Sequence, residues 1–293
     1  MRRHGFVAGF LLLPVALYLV FVISPYAQAF QIALTDWRGV SANLNFVGLD
    51  NFERMFGDDT FWQAIRNHAV LLVTLPVLTI ALGLAFAYLL SDSAGTPGSR
   101  VYRVIFFLPQ VLAVAVVGVL FKAVYRPDAS GVINGGLARL GIEPVGWLTD
   151  QNLALWSIIA VMVWQAVGFY VVLFSAGMAA IPREVFEAAA LDGAGRLRTF
   201  FSITLPLVWD TVQVAWVYLG IAAFDAFALV NVLSMEQGGP DGATSVLATE
   251  IYKNAFGYSR FGYASALGVA LFFLTLTFAA LTMRVTRREK VVY

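Results

Sequence analysis

The chain has 293 residues, 60% hydrophobic and 13% charged, with a net charge of +1. Soluble domains carry about 25% charged residues, so a water-solvated globule is excluded and the bilayer is the expected solvent. Cysteine is absent, which removes disulfides, thiolate nucleophiles and thiolate metal sites, and nothing in the charge balance points to a nucleic-acid partner.

A hydrocarbon core of about 30 Å needs roughly 20 apolar residues in a helix. Six stretches qualify, at about 6–30, 67–91, 103–125, 153–176, 207–232 and 262–283. The first opens a run, Gly5–Thr35, without Asp, Glu, Lys or Arg. Arg2-Arg3 before it and Ala27-Gln28-Ala29 near its end imitate a cleavable signal peptide. Its apolar run exceeds the usual core of about 7–15 residues, so a retained transmembrane helix over 1–35 is expected. An extracytoplasmic loop, 36–66, follows with Phe46-Val47-Gly48-Leu49-Asp50-Asn51-Phe52 and Phe61-Trp62. Its mixture of rings, turn formers and charges predicts a short folded interfacial segment. Asn67 and His68 open the second span and read as interfacial.

Segment 91–99, SDSAGTPGS, has the composition of a tight turn. The third span carries Lys122 near its outer end, where a lysine can snorkel. Loop 126–152 has turn chemistry at Asn134-Gly135-Gly136 and Glu143-Pro144. The fourth span lies in a second charge-free run, Gln151–Pro182, and includes Trp164, Gln165, Gly168, Phe169 and Tyr170. Planar rings beside an amide are what a sugar site needs; small residues for close helix packing are the plainer reading. The fifth span contains Asp210 and Asp225. An ionisable group inside a span is a functional candidate. Tyr218, seven residues earlier, shares the face of Asp225, and Phe224 offers a ring. Gly238-Gly239-Pro240 begins the loop before the sixth span.

Six crossings put both termini on one side. That side holds Arg2, Arg3, Arg100, Arg103, Arg183, Arg196, Arg198, Arg284, Arg287, Arg288 and Lys290 against Asp92, Glu184, Glu187, Asp192 and Glu289, a balance of +6. The other side stands at −3. Positive charge stays inside, so both termini and the loop around Glu187 are expected in the cytoplasm.

That loop, Glu187–Pro206, reads EAAALDGAGRLRTFFSITLP. Pro182 suits a helix start, and Glu184 and Glu187 suit an N-terminal turn. Phe186, Ala189 and Ala190 form a small apolar face, and Asp192-Gly193 ends the helix through left-handed backbone. An amphipathic helix on the lipid surface would be rich in Lys and Arg; this one is acidic, which favours a protein partner. The chain has no phosphate loop, since none of Lys122, Lys253 and Lys290 follows a glycine.

Glu187-Ala188-Ala189, Asp192-Gly193-Ala194, Phe200, Ile203 and Leu205-Pro206 resemble the EAA loop of binding-protein-dependent ABC importer permeases. Leu13-Pro14, the 46–52 segment, Phe61-Trp62, Phe224-Asp225 and Gly238-Gly239-Pro240 resemble the carbohydrate branch of that family, and within it the MalF/UgpA-like member of a two-permease pair. Asp210 departs from the family, which often repeats a proline there. The resemblance implies an all-α membrane protein of six transmembrane helices with the type I importer (MetI-like) permease fold. The core would span 67–283, with the coupling loop at 182–206 and a cytoplasmic tail at 284–293.

It also implies an ATPase contact through Glu187, Ala188, Ala189, Asp192, Gly193 and Ala194, with Glu187 pairing to a cation and Gly193 allowing the bend. The solute pathway would draw on Trp164, Gln165, Phe169, Tyr170, Tyr218, Phe224 and Asp225. Ala166, Ala222, Ala223 and Ala226 stand where the maltose permease has several polar residues, so maltose is not indicated. Expected partners are a second, MalG-like permease, an ATPase dimer, an extracytoplasmic solute-binding protein, carbohydrate and membrane lipid. ATP and Mg would sit on the ATPase, with no cofactor, metal or catalytic residue on this chain, in a prokaryotic inner membrane. An ion-coupled secondary transporter with Asp225 in its pathway is the rival reading, though no internal repeat supports it. An intramembrane enzyme lacks its cluster of reactive groups.

Overall fold

The computed structural model describes residues 2–40, 44–91, 97–235 and 238–285. The turn expected at 91–99 and the tail at 284–293 fall largely outside them. Among the described residues the regular elements are helices, and an isolated bridge joins Thr35 to Phe46. In chain order these are α1 (Arg2–Tyr18), a π turn (Leu19–Ile23), α2 (Ser24–Ala33), α3 (Asp50–Phe56), α4 (Asp59–Ser91), α5 (Pro97–Val111), α6 (Val114–Val124) and α7 (Val132–Arg139). Then come α8 (Ala154–Ala179), α9 (Arg183–Leu191), α10 (Arg196–Thr199), a π turn (Phe200–Thr204), α11 (Leu205–Leu207), α12 (Trp209–Phe224) and α13 (Phe227–Leu233). A 3-10 turn (Pro240–Gly242), α14 (Leu247–Tyr252), a π turn (Lys253–Gly257) and α15 (Phe261–Val285) complete the chain.

Among the described residues four helical stretches are long and apolar enough to cross a bilayer, and up to six if two bent pairs each count as one. The bent pairs correct the third and fifth spans, expected as single helices. α5 and α6 meet at 104° and the segment ending in α11 meets α12 at 70°. Pro109 lies one turn before the first break, and Ala113 is extended (ψ 135°). Pro206 lies just before the second, at Val208. Proline cannot donate to the preceding turn and crowds it. Two of the π turns, Leu19–Ile23 and Phe200–Thr204, also lie just ahead of a proline, Pro25 and Pro206, where a widened turn relieves the same clash.

The chain divides into two compact units. The first comprises residues 1–62 and 247–274. Side chains of α1 from Phe10 to Tyr18 are exposed, and packing against α15 begins in α2, where Tyr26 and Phe30 meet Phe272 at 5.6 and 5.9 Å. The loop after α2 is folded, as expected. Asn51 donates to the carbonyls of Ala33 and Thr35, both at 2.8 Å, which ties α3 to the end of α2. Asp58 caps α4, accepting from the Thr60 N–H at 2.9 Å, and its other oxygen accepts from the Tyr263 hydroxyl at 2.7 Å. Burial alone would raise the Asp58 carboxyl, but bonds from Thr60 and Tyr263 and the nearby Arg54 guanidinium hold it below the usual range.

The second unit comprises residues 63–246 and 275–293. α8 runs through its core, burying Ile158, Val161, Tyr170, Val171 and Phe174, with α5, α12 and α13 packed around it. Gly168 permits the α5 contact, because a Cβ there would overlap the Phe106 carbonyl. α4 contributes Leu71, Leu75, Ile80 and Leu84 to the same core.

One sequence reading is sharpened in this unit and another corrected. Asn67 and His68, expected to be interfacial at the start of the second span, are packed inside the fold. Asn67 donates to the Ala243 and Ser245 carbonyls at 3.1 and 2.7 Å, and the His68 ring stacks 5.4 Å from that of Phe224. Asn134, read as a turn residue, lies inside α7 and is fully buried. Its amide donates to the carbonyls of Arg126 and Val145 and accepts from Val145 N–H and Trp147 Nε1, so its bonding capacity is filled by the loop it organises.

Candidate coupling loop and translocation face

α9 begins after Pro182, whose extended backbone (ψ 141°) places it at the N-cap rather than in the first turn. The helix ends in a complete Schellman motif. Gly193 is left-handed at φ +70°, its N–H bonds the Ala190 carbonyl at 3.1 Å, and Ala194 N–H reaches back to Ala189 at 2.9 Å. No atom lies within 4 Å of where a Gly193 Cβ would stand, so the glycine answers to backbone geometry alone. The buried side of α9 differs slightly from expectation: Ala189 is buried and Val185 and Phe186 are half-buried, while Ala190 faces outward. Glu187, Ala188, Asp192 and Leu191, the last 90% exposed, stand away from the protein.

The loop is anchored by a residue the sequence reading passed over. The Tyr88 hydroxyl donates to the Arg196 carbonyl at 2.8 Å, and its ring lies 4.8 Å from that of Phe200. Its signal was a lone tyrosine near the end of an apolar helix, where aromatic side chains usually anchor. Asn67, near the other end of α4, holds the 243–245 segment. The two anchors are 21 residues apart in one helix, about 31 Å, which matches a hydrocarbon core of about 30 Å.

The proposed pathway residues separate. On α12, Tyr218 (65% exposed), Ile221 and Asp225 lie along one open face with Val214. Asp225 ends that helix; its N–H bonds Ile221, and the chain breaks there before α13. The apolar stretch expected as the fifth span is therefore interrupted at Asp225. On α8, Trp164 and Phe169 are each 41% exposed, with Trp164 edge-on to Phe121 at 5.0 Å.

Three candidates are engaged in packing. Tyr170 is buried against Phe174. Phe224 is 7% exposed, its ring set between His68 and Phe278, so no face is open for a sugar. Gln165 donates to the Leu112 carbonyl at 3.3 Å, one of the backbone groups released at the α5–α6 break. Among the described residues no group of three His, Asp or Glu is placed to hold a metal.

Residues 80–291 match the family described as "Binding-protein-dependent transport system inner membrane component". The diacetylchitobiose uptake system permease protein NgcF of Streptomyces coelicolor is 44% identical, over 97% of this chain and 83% of its own length. The multiple sugar-binding transport system permease protein MsmF of Streptococcus mutans is 31% identical over 96% and 95%. A chain of a bacterial alginate ABC transporter, crystallised with an alginate pentasaccharide-bound periplasmic protein, shares the fold at a TM-score of 0.84 and 22% identity, covering 98% of this chain and 96% of that one.

Proposed function

The chain belongs to the binding-protein-dependent transport system inner membrane component family, and we propose that it is a permease subunit of an ATP-driven carbohydrate importer. The observation that carries this reading is the α9 loop: a short acidic helix with a Schellman end, held by Tyr88 and presenting Glu187, Ala188 and Leu191 outward. Such a surface is left uncovered among the described residues and suits docking to a cytoplasmic ATPase, with Glu187 meeting a cation there.

The chain crosses a prokaryotic inner membrane six times, twice as bent helix pairs, with both termini in the cytoplasm. Residues 1–35 form the first crossing, 36–66 an outer loop, and 67–283 the permease core. A second permease supplies the other half of the pathway. An ATPase dimer supplies ATP hydrolysis with its own Mg, and an extracytoplasmic binding protein delivers the solute. The open face of Tyr218, Ile221 and Asp225, with Trp164 and Phe169, lines the pathway or meets the second permease. The names of NgcF and MsmF support a carbohydrate solute, with diacetylchitobiose the first to try.

The test is uptake of labelled disaccharides by cells expressing this chain with its neighbouring transport genes. Uptake is expected only when the ATPase and the binding protein are both present. ATPase-independent uptake driven by a proton or sodium gradient would instead establish a secondary transporter.

A further inference from the structure

Beyond the pathway, the second unit contains an open groove of about 510 Å³ between α4 and the segment from the Phe200–Thr204 π turn through α12. Ala81 and Ala85 form one wall, and Phe201, Trp209, Val212 and Trp216 line the other. Every lining residue is apolar. We propose that this groove seats one acyl chain of an anionic phospholipid, whose phosphate lies against Arg196 and Arg198.

Shape and charge select this occupant. The groove, about 510 Å³ and lined only by apolar side chains, has room for a single acyl chain. Its inner end is marked by Tyr88, which packs on Phe200 and bonds the Arg196 carbonyl. α10, with exposed Arg196 and Arg198, leads directly into the π turn that forms the wall. Basic groups beside an apolar inter-helix site on the cytoplasmic side are the arrangement that binds acidic lipid headgroups. A lipid held there would brace the π turn that connects the coupling loop to α12. The proposal rests on the orientation given above, which puts α10 in the cytoplasm.

The test is native mass spectrometry of the full-length chain, purified from membranes with its co-expressed importer subunits and exchanged into phosphatidylglycerol or phosphatidylcholine. Wild type should retain one phosphatidylglycerol per chain through delipidation. Ala81→Phe and Ala85→Phe, which fill the groove, should each cut retention about tenfold, a loss of some 1.4 kcal/mol. Arg198→Gln should cut it about fivefold for phosphatidylglycerol and leave phosphatidylcholine unchanged. Unchanged elution and yield would separate these losses from misfolding. Equal retention in wild type and both filled variants overturns the proposal, as does an Ala81→Cys cross-link to the second permease. Labelling of Arg198→Cys from outside intact cells would overturn the orientation instead, whatever the lipid result.

Discussion

Asp225 is the residue on which sequence and structure converge from different directions. In the sequence it is an acid inside an apolar span; in the structure it ends α12 on an open face. A carboxylate at an interrupted transmembrane helix suits the proposed contact with solute. Asp225→Ala should lower uptake several-fold more than it lowers subunit abundance, measured by transport assay and immunoblot on the same membranes. A proportional fall would make it a packing residue. Gln165 followed the opposite course, since its amide is drawn to a carbonyl freed by a helix break that no composition window reveals.

Asp58 shows how a loop carboxylate can be structural. Its cap on α4 and its bond to Tyr263 are made by the ionised carboxylate, whose pKa is depressed. A depressed carboxyl stabilises the fold above its unfolded value of about 3.9 and loses that contribution as pH falls through the folded value. Asp58→Ala should cost about 0.5–2 kcal/mol through the cap alone. In thermal melts of the purified protein, the gap between wild type and Asp58→Asn should narrow on acidification below about pH 4. A constant gap at every pH would contradict the charged role.

At the scale of elements, the spans were legible because twenty-residue apolar runs have few other uses in a polar solvent, and the end of α9 was legible because Asp-Gly after an apolar face is a stop signal. The two bends were not. Pro109 and Pro206 were visible, but proline is tolerated within transmembrane helices when neighbours take up the freed groups, so sequence alone did not distinguish a kink from a break. Asn134 misled because Asn-Gly-Gly is turn chemistry until its amide makes four bonds to three residues.

Gly193 gives the element-scale prediction. Its left-handed backbone costs other residues about 1–2 kcal/mol, while the space around it is empty. Gly193→Val should therefore distort the α9 turn and abolish transport with membrane insertion intact, and Gly193→Asn, which tolerates this geometry, should retain most activity. Equal activity of the two variants would remove the conformational requirement.

For the whole molecule, the charge asymmetry and the two ends of α4 yield the same division. Asn67 holds the 243–245 segment at one end and Tyr88 holds the loop after α9 at the other. With no native cysteine, impermeant thiol labelling reads this directly. Asp241→Cys should react in intact cells and Asp192→Cys only after permeabilisation; the reverse pattern would invert the chain.

The central claim is that this permease draws on ATP through the loop after α8. Disrupting a close charge pair at a desolvated interface costs about 2–5 kcal/mol, roughly a 30- to several-thousand-fold loss of affinity. The decisive measurement is ATPase retention on affinity-purified permease together with ATP-driven uptake in vesicles, for wild type and Glu187→Lys. Loss of both in the variant, with the chain still inserted at normal abundance, is the predicted result. Normal retention and normal uptake with Glu187→Lys would contradict the account.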